Sequence, residues 1–176
     1  MSRGFTLLEM IVALGVFAIA ALISVSSLLA LTDAQGKAFA IENSYDNLRF
    51  VVEAMAKDLR TGTLYYCGTS PDDIPAIPVS QPCVGGGQSL TYKNAGEEII
   101  AYRILNNKIE KFVDGNLIGA MTSDDLTIEQ LVFYVISGSG LQPRITITMR
   151  GSAGLGREKS TFNLQTTVSQ RQIGTQ

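Results

Sequence analysis

The sequence predicts an α+β protein in which a long N-terminal helix packs on an antiparallel β-sheet. The first half of the helix is predicted to span a membrane and the second half is amphipathic. Residues 5–60 contain no proline, and they are apolar at first and amphipathic afterwards. Residues 71–87 are rich in proline and glycine, which excludes helix. Residues 98–171 alternate between strand-like runs and short turns, which is typical of an antiparallel sheet.

Length and composition exclude several function classes. The 176 residues fit one globular domain plus an extension. The net charge is −2, so there is no basic field and nucleic acid is not indicated as a partner. The chain has no histidine, which excludes Ser-His-Asp and Cys-His catalysis as well as zinc sites that need imidazole. We therefore expect neither catalysis nor a cofactor.

The helix begins with a candidate membrane span. The stretch from Met10 to Leu31 has 22 residues without a charge, and as a helix it covers about 33 Å, enough for a bilayer core. Arg3 precedes it and Asp33 follows it, so the N-terminus is predicted to stay in the cytoplasm while the chain beyond is exported. Glu9 is the only charged residue of residues 5–31. A carboxylate at the centre of a membrane helix costs about 2.5–3.5 kcal/mol, so Glu9 needs a partner or a function.

Two simpler interpretations of this span leave observations unexplained. A conventional signal peptide has an apolar region of only about 7–15 residues and ends at a small-residue cleavage site. This run is longer, and the TDA that ends it is a poor match. A plain signal anchor fits the hydropathy but gives no role to Glu9.

The second half of the predicted helix carries one apolar stripe. Its members follow helical spacing and are expected to face the core: Ile41, Tyr45, Leu48, Val52, Met55 and Leu59. Gly36 is a candidate weak point, and Gly62 is a candidate C-cap. The helix is therefore predicted to run from about Phe5 to about Arg60.

A loop region follows, with a cysteine on each side. PDDIPAIPVSQP at 71–82 holds four of the five prolines, and the glycines at 85–87 are predicted to form a flexible loop. Cys67 and Cys83 are the only two cysteines, so they form either a disulfide or two free thiols. A bridge closes a loop of about 17 residues and stabilises the fold by about 3 kcal/mol in the chain-entropy model. Export favours the oxidised form.

Two acidic pairs, Asp72-Asp73 and Asp124-Asp125, could contribute oxygen ligands to calcium. Neither has the alternating ligand spacing of a calcium loop. Asp124-Asp125 is better interpreted as a turn before a strand, and no metal site is predicted.

The remaining chain consists of strand-like runs. EIIAYRIL (98–105) and KIEKFV (108–113) flank a short hairpin signal, Asn106-Asn107, and Asp114-Gly115 marks a second tight turn. LTIEQLVFYVI (126–136), RITITMR (144–150) and TFNLQTTVSQR (161–171) complete the set. Sequential strands with short turns predict a meandering antiparallel sheet, covered on one face by the helical stripe.

The N-terminal stretch GFTLLEMIVAL at 4–14 resembles the class III signal of the type IV pilin superfamily. Gly4 stands where that family has the glycine before the cleavage point, Phe5 where it has the first mature residue, and Glu9 where it has the glutamate. The resemblance implies that a membrane prepilin peptidase cuts between Gly4 and Phe5 and methylates the new amine. It also implies that Glu9 pairs with the terminal amine of a neighbouring subunit during assembly.

The resemblance extends to the layout of the chain and implies its partners. FNLQTTVSQR near the end and LTIEQLVFYV resemble the PilW-type minor pilins and the J-type pseudopilins of type II secretion. Ser24, Ser26 and Ser27 occupy the second half of the apolar segment, where major pilins often have a proline, and this fits a minor subunit. The implied partners are other pilin or pseudopilin subunits, the peptidase, an inner-membrane assembly platform and, before assembly, membrane lipid.

These arguments divide the chain into a leader (1–4), a transmembrane and assembly helix (5–32), an amphipathic helix (33–62) and a loop region with an antiparallel sheet (63–176). The expected function is that of a non-catalytic minor pilin or pseudopilin, anchored in the inner membrane with its C-terminal domain outside the cytoplasm. It would then join a type IV pilus-like filament or tip complex. The alternative is a single-pass, membrane-anchored binding or sensor domain that does not assemble. Pilus, secretion and DNA-uptake systems are not distinguished by this sequence.

Overall fold

The computed structural model describes residues 6–138, 141–154 and 159–171. Within them the element order is one helix followed by nine strands, which confirms the predicted α+β class. The Cα positions divide into two compact units, Met1–Ala40 and Ile41–Gln176.

Helix α1 runs over Leu7–Thr61 and has 55 residues. Its bounds lie within two residues of the predicted ones, because no proline interrupts the segment. The helix continues through Gly36, so the roughly 1 kcal/mol cost of a glycine does not break it.

The strands are β1 (Thr63–Gly68), β2 (Cys83–Gly87), β3 (Ser89–Lys93), β4 (Ile99–Leu105), β5 (Lys108–Val113), β6 (Asn116–Ala120), β7 (Leu126–Gly138), β8 (Leu141–Ala153) and β9 (Ser160–Ser169). The sequence predicted β4, β5, β7, β8 and β9. It did not predict β1, β2, β3 or β6, which are short and lie beside the loop region or after a turn.

The expectation of one meandering sheet is corrected by the strand pairing. A five-stranded first sheet has the order β1-β3-β4-β5-β6, and a four-stranded second sheet has the order β2-β7-β8-β9. The named strands pair antiparallel in both sheets. Because β2 pairs with β7, it belongs to a different sheet from its sequence neighbours β1 and β3.

The two predicted tight turns have the backbone that their residues favour. Asn106 and Asn107 have φ of 51° and 62°, and Asp114 and Gly115 have φ of 49° and 76°. Two successive residues with positive φ make the turn type that matches the twist of a two-residue hairpin. These turns join β4 to β5 and β5 to β6.

Helix residues 48–59 and both sheets share one hydrophobic core, but the buried face of the helix is rotated from the predicted stripe. Leu48, Met55 and Leu59 are buried as predicted. Tyr45 is 40% exposed, whereas Val51 is fully buried. The remaining stripe members, Ile41 and Val52, are half-buried. The polar Ser44, which was not in the predicted stripe, is fully buried.

Ser44 is buried because it has hydrogen-bond partners at the edge of the core. Its hydroxyl donates to the Asp125 carboxylate, which also accepts from the Ser123 hydroxyl. The Ser123 amide donates to the Asn47 side chain at 3.2 Å. The turn before β7 is thereby held against the helix.

Asp58 connects the other end of the buried helical face to the first sheet. Its Oδ2 accepts from the Tyr102 hydroxyl at 2.8 Å and from Lys111 Nζ at 2.7 Å. The rings of Tyr65, Tyr92 and Tyr102 pack in series, with neighbouring centroids 6.0 Å apart. Burial raises the pKa of all three hydroxyls above the ordinary value, so they remain protonated donors.

Gly62 follows the helix as predicted, but it is not a left-handed cap, because its φ is not among the positive ones. A side chain is excluded there for another reason, since a Cβ on Gly62 would lie 2.5 Å from the Tyr92 ring. The helix end is instead held by the Arg171 amide, which donates to the Arg60 carbonyl at 2.7 Å.

Candidate functional site

The first candidate site is the start of α1, in the unit that ends at Ala40. Thr6 precedes the helix, and its Oγ1 accepts from the Glu9 amide at 3.3 Å. This is half of a capping box, the Thr-x-x-Glu pattern in which a hydroxyl satisfies an unpaired amide of the first turn. TLLE at 6–9 carries this signal in the sequence, although the predicted helix start did not depend on it.

Glu9 therefore lies in the first turn of the helix, where the exposed backbone amides favour a negative charge. Its side chain is exposed. The only basic residue in the described part of this unit is Lys37, about 42 Å further along the helix at about 1.5 Å per residue. No cation in the described part of the unit can reach the Glu9 carboxylate, which leaves that carboxylate able to meet a charge from elsewhere.

The helix beyond Glu9 presents an apolar surface all around. Every large apolar side chain from Leu7 to Leu31 is at least 55% exposed. The most apolar window has a mean hydropathy of 2.5 and none of it is buried. In length and composition this segment is able to cross a membrane, which fits membrane anchoring.

The three serines of the apolar segment satisfy their hydroxyls within the helix. Ser24, Ser26 and Ser27 donate to carbonyls one turn earlier, at 2.8, 2.9 and 2.9 Å. Such bonds remove the cost of placing a hydroxyl in hydrocarbon, because no donor is left unpaired. The serines are thus compatible with the predicted span.

Gly4 and Phe5, the predicted cleavage and methylation residues, lie outside the residues that the structure describes. Their assignment remains a prediction from the sequence.

The second candidate feature is the disulfide, which is present between Cys67 and Cys83 as predicted. It has a Cα–Cα distance of 6.0 Å. Cys67 lies on β1 and Cys83 on β2, so the bond joins the edge strands of the two sheets. The sequence indicated the pairing but not this role, because it did not reveal the second sheet.

The glycines after Cys83 do not form the predicted flexible loop. Residues 85–87 lie in β2, and Gly87 pairs with Phe133 of β7. A Cβ on Gly87 would lie 2.5 Å from Cys67 Sγ and 2.5 Å from the Gly68 carbonyl oxygen. The absence of a side chain at Gly87 therefore lets the two edge strands approach each other around the disulfide.

The proline-rich segment inside the disulfide loop is held against the first sheet. Ser89 of β3 places its hydroxyl 2.9 Å from the Ser70 carbonyl and 2.8 Å from the Asp73 carbonyl. The Asp73 carboxylate accepts from the Tyr66 hydroxyl at 3.0 Å and from the Thr69 amide at 2.9 Å. These bonds order a segment that has no periodic pattern of its own.

Both acidic pairs are occupied by contacts within the protein. Asp72 pairs with Arg103, and Asp124 pairs with Lys108. Hydrogen bonds from Ser123 and Ser44 lower the pKa of Asp125 below its ordinary value. Among the described residues, no group of three histidine, cysteine, aspartate or glutamate side chains is placed to hold a metal ion.

Comparison with known proteins identifies the N-terminal segment. A family profile described as the prokaryotic N-terminal methylation motif matches residues 1–25. No curated protein and no solved structure shows a significant match to the chain. This profile spans Gly4, Phe5 and Glu9 and ends inside the apolar part of α1. The chain therefore carries a type IV pilin-like N-terminal methylation signal ahead of an α+β domain.

Proposed function

We propose that this protein is a non-catalytic subunit of a type IV pilus-like filament or tip complex, a minor pilin of PilW type or a J-type pseudopilin. The observation that carries the proposal is the methylation motif at residues 1–25, which coincides with an apolar helix whose first turn holds a carboxylate. In this proposal the prepilin peptidase removes residues 1–4 and methylates Phe5. The mature chain then remains anchored in the inner membrane until it is assembled into the filament or tip complex.

The role of Glu9 in assembly follows from its position. Cleavage before Phe5 creates a cationic amine four residues before Glu9 in the sequence. The amine and the carboxylate are expensive to bury without opposite charges nearby. A neighbouring subunit offers the same two groups, so docking in the correct register satisfies both. The pair thereby specifies register, while its net contribution to stability is small.

The disulfide supports export of the second unit. Disulfides persist in oxidising compartments and are rare in the cytoplasm. The bond between Cys67 and Cys83 links the two sheets at this edge. The proposal therefore places the sheets on the extracytoplasmic side of the membrane.

The test of this proposal is the chemistry of the mature N-terminus. We expect mass spectrometry of protein purified from a host with a prepilin peptidase to find N-methylphenylalanine at residue 5. A host without the peptidase should yield a chain that retains residues 1–4. A mature start near residue 35, as after ordinary signal-peptide cleavage, contradicts the proposal.

A matched pair of glycine substitutions sharpens the test. Gly4→Leu should block cleavage, because it changes the residue before the predicted cut. Gly15→Leu is the control, because Gly15 lies in the same apolar segment and a Cβ added there would have open space around it. Processing of the Gly15 variant should match that of the wild type. Equal processing of both variants contradicts the assignment of Gly4.

A further inference from the structure

The free edges of the two sheets differ in how they are protected against pairing with another strand. A free strand edge is a template for another chain, and proteins usually shorten it, bend it, charge it or cover it. β1 has an irregular register and is covered by the Gln81 amide, which donates to the Tyr65 carbonyl at 2.9 Å. β2 and β6 have five residues each and irregular registers.

β9 has none of these protections. It has 10 residues, STFNLQTTVS, with no charge and no proline. Its pairing with β8 runs from Ser160 to Ser169 without a register shift. Among residues 6–138, 141–154 and 159–171, no backbone group bonds to its outer edge. The edge is thus long, regular and uncharged, and alternate amides and carbonyls point away from β8.

The two faces of β9 also suit a further strand. Its outward side chains are exposed and polar without charge: Thr161, Asn163, Gln165, Thr167 and Ser169. Its inward side includes Leu164, which is only half-buried and which an added strand would cover. A partner strand therefore needs uncharged polar side chains on one face and apolar ones on the other.

We propose that the outer edge of β9 binds β9 of a second copy of this chain, antiparallel and about a two-fold axis. This inference does not rest on the proposed function. β9 itself has the alternation that its partner needs, and a two-fold pair places each strand opposite its own sequence. A charged side chain near the middle of the strand would then lie opposite the same charge in the second copy, which is destabilising. β9 contains no charged residue. The two second sheets join into one continuous sheet, and the symmetric contact closes at two copies.

The alternation of faces limits the register of this pair. Residues directly opposite each other lie on the same face of a sheet, so an odd-numbered residue pairs with an odd-numbered one. Two registers give the longest overlap between the two β9 strands. In one, Leu164 lies opposite Leu164 of the second copy, and in the other Gln165 lies opposite Gln165 of the second copy. The Gln165 side chains of the two copies then lie directly opposite each other or on a diagonal, with Cβ atoms about 5 Å or about 7–8 Å apart.

Cysteine cross-linking of the full chain in membranes tests the proposal. Both native cysteines are in the disulfide, so Gln165→Cys introduces the one free thiol. With two differently tagged copies in one membrane, we expect mild oxidation or a short bis-maleimide to link them. Thr148→Cys is the control, because Thr148 is the partner of Gln165 on β8 and shares its face. Three strand spacings, about 14 Å, separate the two Thr148 positions in the pair, so no link is expected.

A charge on the edge gives an independent readout. Gln165→Lys places two ammonium groups at or beside the symmetry axis, and we expect loss of the dimer when the mass of the detergent-solubilised chain is measured. Gln130→Lys adds the same charge to an exposed position of β7, away from the edge, and should leave the dimer intact. Equal masses for wild type and the Gln165 variant overturn the proposal. So does linkage through Thr148→Cys as strong as through Gln165→Cys, or linkage of Gln165→Cys only to a different protein.

Discussion

Removal of the disulfide should destabilise the domain by an amount set by the loop it closes. The bond joins positions separated by 16 residues. In the chain-entropy model, a cross-link of that span stabilises by about 3 kcal/mol at 25 °C, because it restricts the unfolded chain. Replacing Cys67 and Cys83 together with alanine should therefore lower the free energy of unfolding by about 3 kcal/mol. For a domain of this size the loss corresponds to a fall in Tm of roughly 10 °C.

The tyrosine cluster supplies the signal for this measurement. The chain has no tryptophan, and Tyr65, Tyr92 and Tyr102 pack together in the core. Their near-ultraviolet circular dichroism reports on packing in the sheets, whereas the far-ultraviolet signal includes the apolar half of α1. Urea unfolding of the full chain in detergent, followed by this signal, gives the free energy directly.

Reduction of the wild type provides the internal control. A reducing agent should shift the wild-type transition to that of the double alanine variant. It should leave the variant unchanged, because no other cysteine is present. A loss below about 0.5 kcal/mol, the size of an ordinary surface substitution, would refute the loop-entropy argument.

Three further predictions concern single residues. Glu9→Ala should leave membrane insertion intact and reduce co-purification with partner pilins, and Glu9→Gln should be equally defective. If the variants and the wild type are incorporated equally at equal membrane abundance, Glu9 has no docking role. Gly87→Ala should lower the free energy of unfolding by about 1–3 kcal/mol, because its Cβ would clash with the Gly68 carbonyl, whereas Gly85→Ala, in open space, should have little effect in urea unfolding. The pKa of Asp125 in the folded state lies below its ordinary value of 3.8. The ionised carboxylate therefore stabilises the fold fully at a pH above the ordinary pKa, and this stabilisation is lost as the pH falls through the folded-state pKa. Urea unfolding between about pH 5 and about pH 2 should therefore show a steeper loss for the wild type than for Asp125→Asn, and equal slopes would contradict this.

Local chemistry made much of the chain predictable. The helix bounds follow from the absence of proline, and the hairpins follow from Asn106-Asn107 and Asp114-Gly115, whose residues tolerate positive φ. The membrane-competent segment and the methylation motif are also local, since each depends on consecutive residues. The disulfide was predictable because the chain has only two cysteines.

Other features depended on which elements pack together. Helical spacing is satisfied equally well by a stripe through Tyr45 and Val52 and by one through Ser44 and Val51, because the members of either stripe are three or four residues apart. The structure buries Val51 and Ser44, and the latter is stabilised by the distant Asp125.

The sequence by itself determined the N-terminal signal, the long helix, the strongest strands and the two cysteines between which a disulfide could form. Only the tertiary structure decided that the strands divide into two sheets, that the disulfide joins them and that Gly87 serves close approach rather than flexibility. The physical reason is that a glycine or a short strand has the same local conformational preference whichever of the two sheets it joins. Its partner strand, which lies far away in the chain, determines the sheet to which it belongs.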